Sequence, residues 1–201
     1  MMKKYTMLAL LMGVVLLIGC ACSTPAGVYT ERAETTDTVT NYVQIVLENG
    51  GVIQLELYPD VAPQTVANFQ KLVSEHFYDG TIFHRVISGF MIQGGDPDGD
   101  GYGGSDESIY GEFASNGFAN NLSHKRGVIS MARSEDPNTA SSQFFIMHAD
   151  KPHLDGDYAA FGCVTAGMET VDWVAAQATG SWDRPRSDIV MKEIRFIDPQ
   201  T

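Results

Sequence analysis

A single cation set among apolar residues of strand type, Arg85 in Phe83-His84-Arg85-Val86-Ile87, is the most chemically suggestive feature of this 201-residue chain. An amide, Gln93, follows it in Phe90-Met91-Ile92-Gln93-Gly94-Gly95-Asp96. Arginine stays charged at any physiological pH and offers five donors in a rigid planar fork. Beside Phe90 and Met91, such a group could grip something apolar while donating hydrogen bonds to a carbonyl or an amide nitrogen. The plainer reading is an edge strand whose Arg85 faces water.

A second pattern begins where this one ends. Asp96-Pro97-Asp98-Gly99-Asp100-Gly101 with Glu107 matches the calcium loop of an EF-hand at each ligand position. An EF-hand needs a helix on each side, and here a strand precedes and more loop follows. Such a loop could still gather a weak cation through its carboxylates, but no metal site is assigned to it.

The elements that must position Arg85 and Gln93 are short and mostly strands. Val43, Ile45 and Leu47 alternate with polar residues, Asn49-Gly50-Gly51 turns the chain, and Val52–Leu57 returns as a partner. Asn-Gly supplies the positive φ angles that a tight hairpin turn demands. Pro63 suits the first turn of a helix running to about Glu75, with Val66, Phe69, Leu72 and Val73 on one face. Strands are expected near 82–87, 91–94, 128–132, 144–148, 159–165 and 189–197. A long Gly-rich excursion fills 96–122, and a second helix is expected near 168–176. Many strands with two helices fit a closed antiparallel barrel capped at its ends.

Length favours one domain with a proper core. The formal charge of −12 argues against a nucleic-acid partner. Lys3 and Lys4 precede an uncharged run, 7–18, of about a dozen residues, where a spanning helix needs roughly 20. It ends in Leu17-Ile18-Gly19-Cys20, which resembles the lipobox of bacterial lipoproteins. That resemblance implies cleavage before Cys20 and acyl chains on its thiol, anchoring the domain to a membrane outside the cytoplasm. A plain secretory signal or an uncleaved anchor is the simpler alternative. Cleavage would remove two lysines and no acid, taking the charge from −12 to −14. The expected organisation is thus a signal peptide over 1–19, an acylated N-terminus and flexible tether over 20–40, and one domain over 41–199. Cys163 is the one cysteine inside that domain and is expected to be buried as a small hydrophobe.

The stretch Phe83–Asp96 resembles a signature of the cyclophilins, the cyclosporin-binding peptidyl-prolyl cis-trans isomerases. Gly127-Val128-Ile129-Ser130-Met131-Ala132, then Pro137-Asn138-Thr139 and Ser142-Gln143-Phe144-Phe145-Ile146, resemble the family's second block. Leu154-Asp155-Gly156-Asp157-Tyr158-Ala159-Ala160-Phe161-Gly162 follows in the expected order. The resemblance covers roughly 41–197. It implies a mainly β fold, a closed eight-stranded antiparallel barrel capped by two helices.

It also implies an activity, rotation about the peptide bond before proline. No bond is broken, so no cofactor is expected. Arg85 would stabilise the twisted amide, with Gln93 orienting its guanidinium or contacting the substrate backbone. Phe90, Met91, Phe145 and Leu154 resemble the proline pocket, although each could equally be barrel core. Ala132 and Gln143 would line the adjoining groove, and Tyr158 stands where many members carry histidine. Departures matter too. His153 replaces a frequent tryptophan, which should reduce cyclosporin affinity, and it could equally be an exposed rim residue. Arg133-Ser134-Glu135-Asp136 is longer and more charged than the usual loop. Ser88 replaces a frequent proline. The partners implied are proline-containing polypeptides and a membrane, with the protein itself a monomer; a non-catalytic peptide-binding module is the competing reading.

Overall fold

The computed structural model describes residue 36 and residues 38–199. The expected signal peptide, Cys20 and nearly all of the tether lie outside those residues. Within them the strands are β1 (Tyr42–Leu47), β2 (Val52–Leu57), β3 (Arg85–Ile87), β4 (Met91–Gly94), β5 (Val128–Met131), β6 (Phe144–Met147), β7 (Ala160–Ala166) and β8 (Met191–Phe196). Two helices, α1 (Pro63–Ser74) and α2 (Met168–Ala175), complete the frame. No helix among the described residues is long and apolar enough to cross a membrane.

Every strand pairs antiparallel, in the order β3-β4-β6-β5-β7-β2-β1-β8. The sheet curls as a half-barrel, the coarser form of the closed barrel expected. Its edge strands β3 and β8 share no ladder among the described residues. They approach through the segment just before β3, where Ile82 bridges Val190 and the Phe83 amide donates to the Ile189 carbonyl at 3.0 Å. The strand expected from Ile82 starts at Arg85, and Ile82 itself makes only single bridges, to Asp96 beyond β4 and to Val190 on the opposite edge.

The first hairpin forms, with a different turn. Gly50 alone adopts the left-handed conformation, at φ +86, and the Leu47 amide bonds the Gly51 carbonyl at 2.8 Å. This leaves three residues in the loop rather than the two of a primed turn. Asn49 contributes through its side chain, whose Oδ1 accepts the Gly51 amide at 2.9 Å.

The core follows from strand alternation and one helix face. Val66, Phe69, Leu72 and Val73 of α1 are buried, as are Val171, Val174 and Ala175 of α2. Phe69 sits at the centre, with ring centroids 5.1 Å from Tyr78, 5.6 Å from Phe144 and 5.3 Å from Phe161. Full burial of such a ring contributes roughly 1.5–3 kcal/mol. Cys163 is only half-buried, since β7 turns it away from this core toward a second, smaller cluster. Burial still raises its thiol above the ordinary range.

Helix α1 lacks a cap of its own. Its N-cap is Ala62, which cannot accept a hydrogen bond through its side chain. The long excursion supplies one instead. Buried Glu112 accepts the Gln64 amide at 3.0 Å, the Thr65 amide at 2.8 Å and the Thr65 hydroxyl at 2.7 Å. A carboxylate here also complements the positive end of the helix. Glu112→Ala strands these donors, at a cost of about 1–3 kcal/mol for each group left unsatisfied. It should lower the urea midpoint of unfolding clearly, and Glu112→Gln less so. An unchanged midpoint would exclude the cap.

Candidate active site

The strand period of two divides β3, β4 and β6 between two jobs. Val86, Ile92, Phe144 and Ile146 point into the main core. Their neighbours Arg85, Ile87, Met91, Gln93, Phe145 and Met147 therefore point to the other face. Register then lines the polar pair up with the ring: Arg85 pairs with Gln93, and Gln93 pairs with Phe145. Directly paired positions hold their Cβ atoms about 5 Å apart. Arg85, Gln93 and Phe145 thus form one row across three strands.

Beneath that face lies the second apolar cluster, made of Met91, Val128, Phe145, Met147, Leu154 and Ala160. Phe90, Ala132 and Tyr158 are half-buried against it. The four residues expected to form the pocket, Phe90, Met91, Phe145 and Leu154, come together here. Phe145 is 6% exposed and Leu154 8%, so each shows only an edge to the groove. Exposed His153 sits at the rim, with its ring 6.2 Å from that of Phe90.

Amides join the cation to a polar cleft. Arg85 Nη1 lies 3.5 Å from Gln93 Oε1, at the long limit of a hydrogen bond. Gln93 Nε2 donates to Gln143 Oε1 at 2.9 Å, and Gln143 Nε2 donates to the Gly103 carbonyl at 2.8 Å. A cleft of about 300 Å³ opens beside them, walled by Gln93, Gln143, Ala132, Arg133, Tyr102 and Thr139 among others. Ala132 is held at its edge by its amide, which donates to the Gln143 carbonyl at 2.9 Å. Gly95 makes the tight exit from β4 possible. It takes φ +83, and a Cβ there would meet the Ser142 carbonyl oxygen at 2.6 Å.

Several supporting residues give no signal in the sequence. The buried ring of His124 stacks on Phe145, with centroids 6.0 Å apart and planes 20° apart. Its Nδ1 meets Asp155 Oδ1 at 2.9 Å and its Nε2 meets the Ser130 hydroxyl at 3.0 Å. Burial pulls this imidazole below its ordinary value, partly opposed by the hydrogen bond to Asp155. Arg133, in the lengthened loop, places its guanidinium 4.8 Å from the Tyr158 ring centroid and 5.1 Å from that of Phe113. It also donates to the carbonyls of Asp157, Ser134 and Glu135. The Arg133 charge is therefore spent on fixing the pocket wall. No motif marks Arg133 or His124, since their aromatic partners lie on other elements.

Asp96 organises the acidic loop from within. Asp96 is fully buried, and its carboxylate accepts the backbone amides of Asp98 at 3.0 Å and Gly101 at 2.6 Å. No cluster of metal-ligating side chains occurs among the described residues. The aspartate folds the loop that carries one wall of the cleft.

Residues 42–196 match the family described as cyclophilin type peptidyl-prolyl cis-trans isomerase. A peptidyl-prolyl cis-trans isomerase of Arabidopsis thaliana is 46% identical over 147 residues, covering 73% of this chain and 90% of its own. Peptidyl-prolyl cis-trans isomerase B of Bacillus subtilis is 50% identical over 124 residues, covering 62% of this chain and 83% of its own. A crystal structure of a Cryptosporidium parvum cyclophilin, determined in the presence of the dipeptide Ala-Pro, superposes with a TM-score of 0.72 at 35% identity. It spans 79% of this chain and 99% of its own. The chain belongs to the cyclophilin family and is a peptidyl-prolyl cis-trans isomerase.

The chemistry needs little beyond this geometry. Rotation is slow because the amide must lose partial double-bond character, against a barrier of about 18–20 kcal/mol. Only interactions stronger in the twisted state than in either planar isomer speed it. An apolar pocket can hold the ring while the chain on either side turns. The cation beside it can favour a prolyl nitrogen whose lone pair is no longer delocalised.

A pH dependence of stability follows from two histidines. His84, next to Arg85, is 6% exposed and neither ring nitrogen has a partner among the described residues. Burial lowers its pKa, with Asp96 partly opposing. His124 is lowered in the same direction. Well above about pH 6.5 both rings are neutral folded and unfolded, so neither makes stability depend on pH. Below it the unfolded chain takes up protons that the folded protein resists. Unfolding free energy should then fall as pH drops from about 6.5, by up to about 1.4 kcal/mol per pH unit per histidine. Urea titrations of wild type and His84→Asn between pH 5 and pH 8, a range of about three units around the imidazole value, should show a shallower decline in the variant. Identical slopes would remove His84 from the account.

Proposed function

We propose that this isomerase works outside the cytoplasm, held at a bacterial membrane by acyl chains on Cys20, and assists the folding of exported proteins. One observation carries the reading. Leu17-Ile18-Gly19-Cys20 ends a short apolar run behind Lys3 and Lys4, ahead of a domain of an isomerase family. A tether of polar, Thr-rich residues between Cys20 and the domain would hold the groove clear of the lipid. Its substrates are proline-containing segments of unfolded chains. The Ala-Pro dipeptide named with the Cryptosporidium relative supports that class.

The rim bears on ligands other than substrate. His153 offers less apolar surface than a tryptophan and no indole donor, so cyclosporin should bind, but weakly. A single copy holds a whole groove, consistent with a monomer.

The test is acylation in a bacterial host fed labelled palmitate. The full chain should carry label and pellet with membranes, and Cys20→Ala should lose both properties while retaining isomerase activity. An unlabelled, freely released wild-type protein would overturn the anchor and leave a plain secreted enzyme.

A further inference from the structure

Opposite Gln93, the guanidinium of Arg85 meets a second group. Its Nε lies 3.6 Å from Oδ2 of Asp183, an ion pair rather than a hydrogen bond. Asp183 ends a short helical turn, Ser181–Asp183, between α2 and β8, and this turn packs on β3. The backbone there is unusual. Trp182 and Asp183 adopt consecutive left-handed conformations, at φ +61 and +57, without a glycine between them. Side chains rarely accept that region, and it persists only where the surroundings fix it.

Those surroundings are visible. The Gly180 amide donates to the Arg184 carbonyl at 2.8 Å, and Thr179 bridges Pro185, so the turn is closed at its base. Arg184 then donates to the Gly99 carbonyl in the acidic loop and to Asp188 at 3.2 Å. The turn is thereby tied on one side to the loop beside the cleft and on the other to Arg85. Trp182, at its tip, is 91% exposed, so burial of the indole does not explain the strain.

We propose that Asp183 is a positioning residue for catalysis, holding Arg85 from its Nε side while Gln93 faces Nη1. With those two nitrogens engaged, the Nη2 donors remain for substrate. A free arginine would sample many rotamers, and each unproductive one removes the cation from the prolyl nitrogen. The carboxylate also offsets part of the positive charge, so this device gives up field strength for orientation. Both groups are about half exposed, at 43% and 48%, so salt should weaken the pair.

Asp183→Asn isolates the charge, because asparagine tolerates the left-handed backbone as well as aspartate does. An exposed pair of this kind supports a loss of about 3–5-fold in kcat/KM, mostly in kcat. Asp183→Glu should recover part of it. The ratio of wild type to Asp183→Asn should contract as ionic strength rises from about 0.01 M to about 1 M. In an Arg85→Lys background, which lacks Nε in that position, Asp183→Asn should have little further effect. Melting temperatures of all variants separate this from loss of fold. A rate unchanged or raised by Asp183→Asn, or an equal loss in both backgrounds, would overturn the assignment.

Discussion

Two-residue alternation along three adjacent strands is the constraint on which the molecule depends. Each of β3, β4 and β6 must bury one face around Phe69 and Phe144, and whatever remains is delivered to the other face. Arg85, Gln93 and Phe145 are what remains, brought abreast by register. A slip of one residue in any ladder would send Arg85 or Gln93 into the apolar core and Val86 or Ile92 to the groove. Burying an unpaired guanidinium costs far more than the slip could return. The core's demand for apolar side chains therefore also sets where the row of Arg85, Gln93 and Phe145 sits.

Rigidity comes from neighbours packed against that row and its pocket. His124 braces Phe145 from beneath, pinned between Asp155 and Ser130, while Arg133 clamps Tyr158. Glu112, from the long excursion over 96–122, caps α1, whose Phe69 is the hub of the core. A reaction that makes and breaks no bond has no reactive group to tune. What can be optimised is the fixed placement of a pocket, a cation and the amides between them, and these braces serve that placement.

Much of this was legible in the sequence because its signals are local. Hydrophobic alternation and Asn-Gly marked the first hairpin, and the apolar stripe marked α1. The spacing of Arg85 and Gln93 marked the candidate site once three blocks were seen in order. What stayed hidden is non-local. The Asn49-Gly50 turn took a three-residue form that the dipeptide alone does not determine. The acidic loop matched a calcium pattern residue for residue, yet Asp96 spends its oxygens on two backbone amides. His124, Glu112 and Asp183 act on residues of other elements, as with the Glu112 carboxylate and the Thr65 amide, 47 positions apart. No window along the chain shows such pairs. The half-open seam between β3 and β8 likewise depends on how residues 80–83 share their backbone bonds.

The central claim is that Arg85, placed by this register over an apolar pocket, accelerates rotation about the prolyl bond. The direct measurement is the cis-to-trans rate of a short Xaa-Pro peptide with the purified protein and with Arg85→Ala. Removing one preorganised donor of this kind typically costs about 100–1000-fold in kcat. The account predicts a loss of that order with the peptide still bound and the fold intact. A variant that turns over at close to the wild-type rate would contradict it, and would assign catalysis to the pocket alone.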